Sequence, residues 1–438
     1  MFFHPNGEVL RNAALWLDRV QNLYEQRTFE SLKHNGHGLR SYTDTECARD
    51  KPNCFNYPFD AQNCKNSAVS ATKGTRVVTT LVHAARKGTH PWWHSPAICR
   101  IPQRVDHELA QLLSKEAIQF ARVGVDALLI SPIPQMIWGV NPELAALVRR
   151  FHRVGVKIIV HLPASTEWNT HDFNGPYSSD ETVTTLLGRV RACVDAEADG
   201  IDLGTLPFTH YGPNSSERQE FMHLLRLVMA EVANTDTLPI LTSSLPHMDD
   251  ADLKEILQES WFHHLRNDTF LDIEWKNPQL CDAIANTFMN RDPLGHVAAW
   301  PALPYEDSEL HRARTLFALA LPGAIYFDSP PRDAISPSFV LLIQQALRTR
   351  AEHGMGTGSL AHVRGLSWAG PDCLVHMSAQ VLVVFNASDS TVVVPSEHRP
   401  LVSTGVLPTQ LNSDTPLAPG QCAWFETARV RPRVFATE

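Results

Sequence analysis

The chain lacks several things whose absence narrows the field. It has no basic excess: 38 Lys and Arg stand against 47 Asp and Glu, for a net charge of −9 over 438 residues. With no basic block or stripe either, nucleic acid is excluded as the expected partner. It has no apolar run near the roughly 20 residues that cross a bilayer, so no membrane-spanning segment is expected. Its start, Met1-Phe2-Phe3-His4-Pro5-Asn6, has no basic region leading an apolar core, so the expected location is cytoplasmic. Common catalytic signatures are missing too. There is no His-Glu-x-x-His, and Ser243-Ser244 do not sit in a Gly-x-Ser-x-Gly turn. Gly354-Met355-Gly356-Thr357-Gly358 is not followed by Lys-Ser/Thr and reads as a hinge. His263-His264 alone does not make a metal site.

Cysteine is sparse, with eight in all. Cys47, Cys54 and Cys64 cluster early; Cys99, Cys193, Cys281, Cys373 and Cys422 are dispersed. Buried thiols account for them. The early cluster leaves a disulfide or a metal open, but its spacing is poor for a metal, and no metal or cofactor is expected.

What is present is a repeating alternation of short apolar runs and amphipathic stretches. Residues 7–33 carry Leu10, Ala13, Ala14, Leu17 and Val20 at helical spacing. Residues 34–75 have no period and read as a long irregular segment. Val77–Ala85 reads as a strand or a short helix. A helix is expected over 106–123, then an almost wholly apolar run, Val125–Ile133, of the kind a parallel strand buried on both faces requires. Asn141-Pro142-Glu143 opens a second helix, Gly155 ends it, and Val156–Pro163 forms the next strand. Helices follow at 183–198, 216–233, 249–259, 278–289 and 308–319. Strands are expected at 200–205, 238–243, 270–275, 297–300 and 321–327. This is the βαβ pattern of a parallel sheet. Beyond 355 the pattern turns to short strands at 360–363, 373–377, 381–386, 391–395 and 422–426, which fits a small antiparallel β-domain.

Several runs resemble one family. Trp92–Ile101 is similar to a first barrel strand led by paired tryptophans. Val125–Ile133, ending Ser-Pro-Ile, the stretch LAALVRRFHRVGVKIIVHL, and ALALPGAIYF resemble further barrel strands. VLVVFNAS and PLAPGQCAWFE are similar to a β-domain that follows such barrels. The family is the alpha-amylase superfamily, the (β/α)8 TIM barrels of the glycoside hydrolase family 13 type. The resemblance covers about 92–428. It implies an N-terminal extension at 1–90, a barrel at 91–354 without the sizeable domain usually inserted after the third strand, and a β-domain at 355–438.

The same resemblance implies a lost reaction. A retaining glycosidase needs two carboxyl groups about 5–5.5 Å apart. The family's nucleophile, on the fourth strand in Gly-Phe-Arg-x-Asp, is matched by Gly204, and its Arg by Asp202. The acid on strand five is matched by Ser243. The Asn-His-Asp after strand seven is matched by Pro304-Tyr305, with Glu306 and Asp307 either standing in for its carboxylate or capping the next helix. The Asp-x-x-x-Asn-His after strand three is matched by His161, Ser165 and Thr166. His161 either holds a sugar hydroxyl or is a satisfied histidine of the barrel mouth. Asp202 either binds a ligand or is paired inside the barrel. Strand alternation puts Asp202 and Gly204 on one face.

The expectation is therefore a catalytically inactive, non-enzymatic protein: a protein-binding or assembly subunit, with a protein partner or self-association. The heavy subunits of heteromeric amino-acid transporters resemble amylases in the same way, although this chain shows no membrane helix. Two alternatives stand beside it. One is carbohydrate binding, with Trp138, Trp168, Tyr177 and Trp300 stacking on a sugar ligand or else filling cores. The other is hydrolysis or transglycosylation by a relocated set, Asp272 and Glu274 on one strand face with Asp202.

Overall fold

The computed structural model describes residues 77–162, 179–207, 215–235, 238–245, 250–331, 336–407 and 413–427. All lie in the unit Lys73–Glu438. Residues 7–33 and 34–75, including Cys47, Cys54 and Cys64, lie outside them, as do Ser165, Thr166, Trp168 and Tyr177.

Local chemistry sets the βα units. Asp106 caps the helix His107–Val123 by accepting from the Leu109 N–H at 2.9 Å. Gly124, at φ 92°, ends it in the left-handed conformation that glycine adopts freely. Asn141 accepts from the N–H groups of Glu143 and Leu144 at the start of the helix Pro142–His152, with proline at its first position. That helix buries Leu144, Leu147, Val148 and Phe151. Ser179, Ser215 and Ser308 cap later helices in the same way.

These units build an eight-stranded parallel sheet. Its strands are β2 (Ala97–Val105), β3 (Ala127–Pro132), β4 (Lys157–His161), β5 (Gly200–Thr205), β6 (Ile240–Leu245), β7 (His264–Asn267), β8 (Ala299–Trp300) and β9 (Ala324–Asp328). The order is β7-β6-β5-β4-β3-β2-β9-β8, which curls into a (β/α)8-like barrel with helices outside. The floor is packed by Ile98, Ala127, Ile159, Ile240, Val297, Ala299 and Ala324, with Trp92 and Trp93 against it. A Cβ at Gly200 would lie 2.8 Å from Ile240 Cγ1, so glycine lets these side chains meet.

A six-stranded antiparallel sheet follows, in the order β1-β10-β11-β12-β16-β14. It joins β10 (Leu360–Arg364), β11 (Cys373–Ser378), β12 (Val381–Asn386), β14 (His398–Ser403) and β16 (Cys422–Thr427) to β1 (Val78–His83). A two-stranded ribbon, β13 (Val392–Val394) with β15 (Thr415–Leu417), covers one face over Val375, Leu382, Val384 and Phe425. Phe385 of β12 meets Trp275 and Phe317 of the barrel layer, with ring centroids 6.0 and 5.7 Å apart. No helix among the described residues is long and apolar enough to cross a membrane.

Several expectations are corrected. Residues 92–94 form a 3-10 turn, and the first barrel strand starts at Ala97. The sixth strand is His264–Asn267; Phe270–Trp275 instead holds the short helix Thr269–Asp272. The fifth strand is shifted to 240–245. Val78–His83 is a strand, and it pairs with β10 rather than with anything near it in sequence. Gly354–Gly358 is a tightly packed turn, not a hinge: Cβ atoms at Gly356 and Gly358 would each lie 2.7 Å from Cβ atoms of Ser95 and Ala379.

Candidate functional site: a closed polar network in the barrel

Residues on alternate positions of a barrel strand point inward. Above the apolar floor this places His161 of β4, Asp202 of β5, Thr242 of β6, His264 of β7 and Tyr326 of β9 near one level, consistent with the pairings His161↔Asp202, Asp202↔Thr242 and Thr242↔His264. Asp202 is the hub. Its Oδ1 accepts from His161 Nδ1 at 2.9 Å and from the Gly204 N–H at 3.0 Å. Its Oδ2 accepts from Thr242 Oγ1 and from Arg266 Nη1, both at 2.6 Å. The residue is 1% exposed. Burial alone would raise its carboxyl, but the Arg266 guanidinium and His161 outweigh that and hold it well below the usual carboxylate range.

Arg266 is held from three sides. Its Nε donates to Ser244 Oγ at 3.2 Å, and its guanidinium lies 4.6 Å over the Tyr326 ring. Burial opposes its charge, yet Asp202 more than restores it, so the guanidinium stays protonated. His264 Nε2 faces the Trp93 carbonyl at 2.6 Å, and only a protonated nitrogen can bond a carbonyl. Its Nδ1 therefore accepts from the Tyr326 hydroxyl at 2.8 Å. The ring is neutral, and burial lowers its pKa to about 3. Burial likewise raises the Tyr326 phenol to about 12.

Gly204 does not follow strand alternation. The β5–β6 register slips between Asp202 and Thr205, and Gly204 takes φ 68° in that bulge. Its N–H turns back to the Asp202 carboxylate, and its carbonyl accepts from Ser243 Oγ at 2.6 Å. Ser243 is fully buried. The two positions matched to nucleophile and acid are thus bonded to each other.

The other expected residues scatter. Trp300 is 1% exposed, and its indole N–H donates to the Pro322 carbonyl at 2.8 Å, so it fills the core. Trp138 is 56% exposed and lies over Gly188, where a Cβ would sit 3.5 Å from its ring. Asp272 is exposed in a helical turn, and exposed Glu274 pairs with Lys276 at 2.6 Å. The two do not share a strand face, because that stretch is not a strand. Pro304 is exposed, while Tyr305 packs edge-on against His311 and Phe339. Asp307 pairs with Arg312 at 3.2 Å beside the helix Glu309–Leu319.

Arg266, Asp268, Thr242, Tyr326 and His264 were not anticipated from sequence. The signal was the alternation in His264-Leu265-Arg266-Asn267, whose inward residues are polar. Asp268 follows β7; Thr205 Oγ1 donates to it at 3.4 Å, and burial raises its carboxyl. Arg100 and Asp328 form a further two-pronged pair, at 2.6 and 2.8 Å, across β2 and β9.

This fold is shared with amylases and debranching enzymes, as a distant resemblance. An α-amylase from H. orenii superposes with a TM-score of 0.52 at 12% identity, covering 77% of this chain and 100% of that one. A maltogenic α-amylase, AmyB, from Thermotoga neapolitana gives 0.50 at 10% identity, covering 76% and 96%. A debranching enzyme from Nostoc punctiforme, soaked with acarbose, gives 0.50 at 11%, covering 77% and 99%. At such identities the likeness establishes the fold alone. No family model and no curated protein matches the sequence.

Proposed function

We propose that this chain is a protein-binding or assembly subunit built on an amylase-like barrel that has given up glycosidase chemistry. The supporting observation is the bonding of Asp202: each carboxylate oxygen already accepts two hydrogen bonds from the barrel itself. A nucleophile must present a free lone pair to the sugar carbon, and this carboxylate has none to spare. Gly204 and Ser243, which the sequence matches to the nucleophile and acid of the resembling family, have no carboxyl groups. The free thiols of Cys99, Cys193, Cys281, Cys373 and Cys422 fit a reducing, cytoplasmic setting.

A second reading, sugar binding or transfer at a relocated acid, rests on Asp268. Its carboxyl is raised by burial, as a general acid requires, and it lies beside Arg266. Trp138 would offer a stacking face.

Affinity purification of the full chain from its native cell, followed by reconstitution from separately purified components, tests the first reading. A stoichiometric complex, or a defined oligomer of this chain, supports it. A chain that stays monomeric and alone while turning over maltose, trehalose or an aryl glucoside overturns it.

A further inference from the structure

Three side chains far apart in sequence gather between the barrel layer and the C-terminal sheet. Cys281 lies in the first turn of the helix Gln279–Arg291. His362 of β10 and His376 of β11 are direct cross-strand partners. Their rings stand 4.5 Å apart at 62°. Cys281 Sγ is 3.7 Å from His376 Nε2, and one donor atom from each of the three residues lies within 4.8 Å of the others.

The Cys281–His376 separation suits two ligands of one ion. With Zn–S near 2.3 Å and Zn–N near 2.0–2.1 Å, tetrahedral ligands stand about 3.6 Å apart for S and N. The histidines are otherwise poorly placed. His362 is 7% and His376 1% exposed; Nδ1 of His376 has no hydrogen-bond partner among the described residues, and the His362 ring is reached only by the Cys281 backbone. A buried donor or acceptor left unmade is costly, and lone-pair coordination to a cation uses such nitrogens. The position also opens on a cavity of about 510 Å³, lined by Cys281, His362, Arg364, Asp372 and Cys373 among others. The cavity gives an entry path and room for a water or an outside ligand at a fourth position.

We propose that Cys281, His362 and His376 form a three-ligand zinc site that ties the β-sheet to the barrel helix and leaves one coordination position facing the cavity. Thiolate and imidazole together select zinc or copper over calcium or magnesium. Binding requires the Cys281 thiol to lose its proton to solvent as the ion enters, so uptake weakens as pH falls.

The test is titration of the reduced full chain with Zn²⁺ and, in parallel, with Co²⁺. One equivalent should bind at Cys281, seen with Co²⁺ as a thiolate charge-transfer band in the near ultraviolet. Cys281→Ser and His362→Gln should each lower the affinity at least 10-fold and remove the band. Replacing Cys47, Cys54 and Cys64 together by Ser should leave that equivalent in place. A substitution-free check covers variants that fail to fold: Zn²⁺ should slow alkylation of Cys281 in the wild-type chain at least 10-fold, read peptide by peptide. Absence of micromolar binding, or unchanged Cys281 alkylation with saturating Zn²⁺, overturns the proposal, as does an equivalent that survives both single substitutions.

Discussion

Arg266 Nη1 stands 2.6 Å from Asp202 Oδ2 inside the barrel, with the two side chains 8% and 1% exposed. One comes from β7 and one from β5, and Thr242 on the strand between them donates to the same oxygen. The pair is thus a cross-brace of the barrel wall.

Breaking one side of that brace strands a buried charge. Arg266→Met is expected to cost about 3–5 kcal/mol, in the range for removing one partner of a buried pair. Asp202→Asn/Arg266→Met should recover part of that loss, because the amide carries no charge to strand. Urea unfolding of both single variants and the double variant measures the coupling. Additive losses would contradict the brace.

Gly204 is held at φ 68°. Gly204→Ala should cost about 1–2 kcal/mol through the left-handed backbone alone. Gly204→Asp/Ser243→Glu, which restores the carboxyl types of the resembling family, should still yield no glycosidase activity, since the Gly204 N–H is tied to Asp202 in the bulge and Ser243 is fully buried. Unfolding midpoints and an aryl-glucoside assay check the two statements.

Acid should loosen the fold early. His264 is neutral in the folded chain down to about pH 3, and burial lowers His263 and His94 to about 4. In the unfolded chain a histidine takes its proton near pH 6.5. The unfolded state therefore binds more protons below that value, and stability falls as pH falls, for His264 by about 1.4 kcal/mol per pH unit. Asp202 acts at a lower window: its stabilisation is full above about pH 4 and is lost as pH drops toward its depressed folded value. The urea midpoint should decline between pH 6.5 and 5; a flat profile there would contradict the neutral, buried imidazoles.

Trp300 is a structural residue. Trp300→Phe leaves the Pro322 carbonyl unpaired, and a loss of about 1–3 kcal/mol is expected for that group. Trp138→Ala, at an exposed ring, should cost far less. Thermal melts of the two variants give the ordering, and the reverse order would place Trp138 in the core.

Much of the barrel was legible because its cues are local. Gly124 and Gly155 stop helices, Asn141 and Ser215 start them, and the short apolar runs within 127–132 and 157–161, set off by Gly124 and Gly155, have the length and flanks of buried strands. The strand Gly200–Thr205 and the helix Ser216–Ala233 fall where periodicity places them. The sixth strand was hidden because its inward residues, His264 and Arg266, are polar. Such residues are affordable in a core only when partners from other strands satisfy them, and those partners are distant in sequence. Phe270–Trp275 alternates like a strand yet contains a helical turn, because Phe270 and Trp275 pack against Trp300 and Phe317. The pairing of β1 with β10 was illegible for the same reason: both register and partner are non-local. At the site, Asp202, Gly204 and Ser243 were visible as types, but their bonds to one another were not, since the bulge that aims the Gly204 N–H leaves no mark in the alternation.

The most direct test is turnover itself. The purified chain should release no glucose from maltose or trehalose, and no phenol from an aryl glucoside, above a buffer control, and Asp202→Asn should change nothing. Turnover by the wild-type chain that disappears in a folded Asp202→Asn or Asp268→Asn variant would contradict the account.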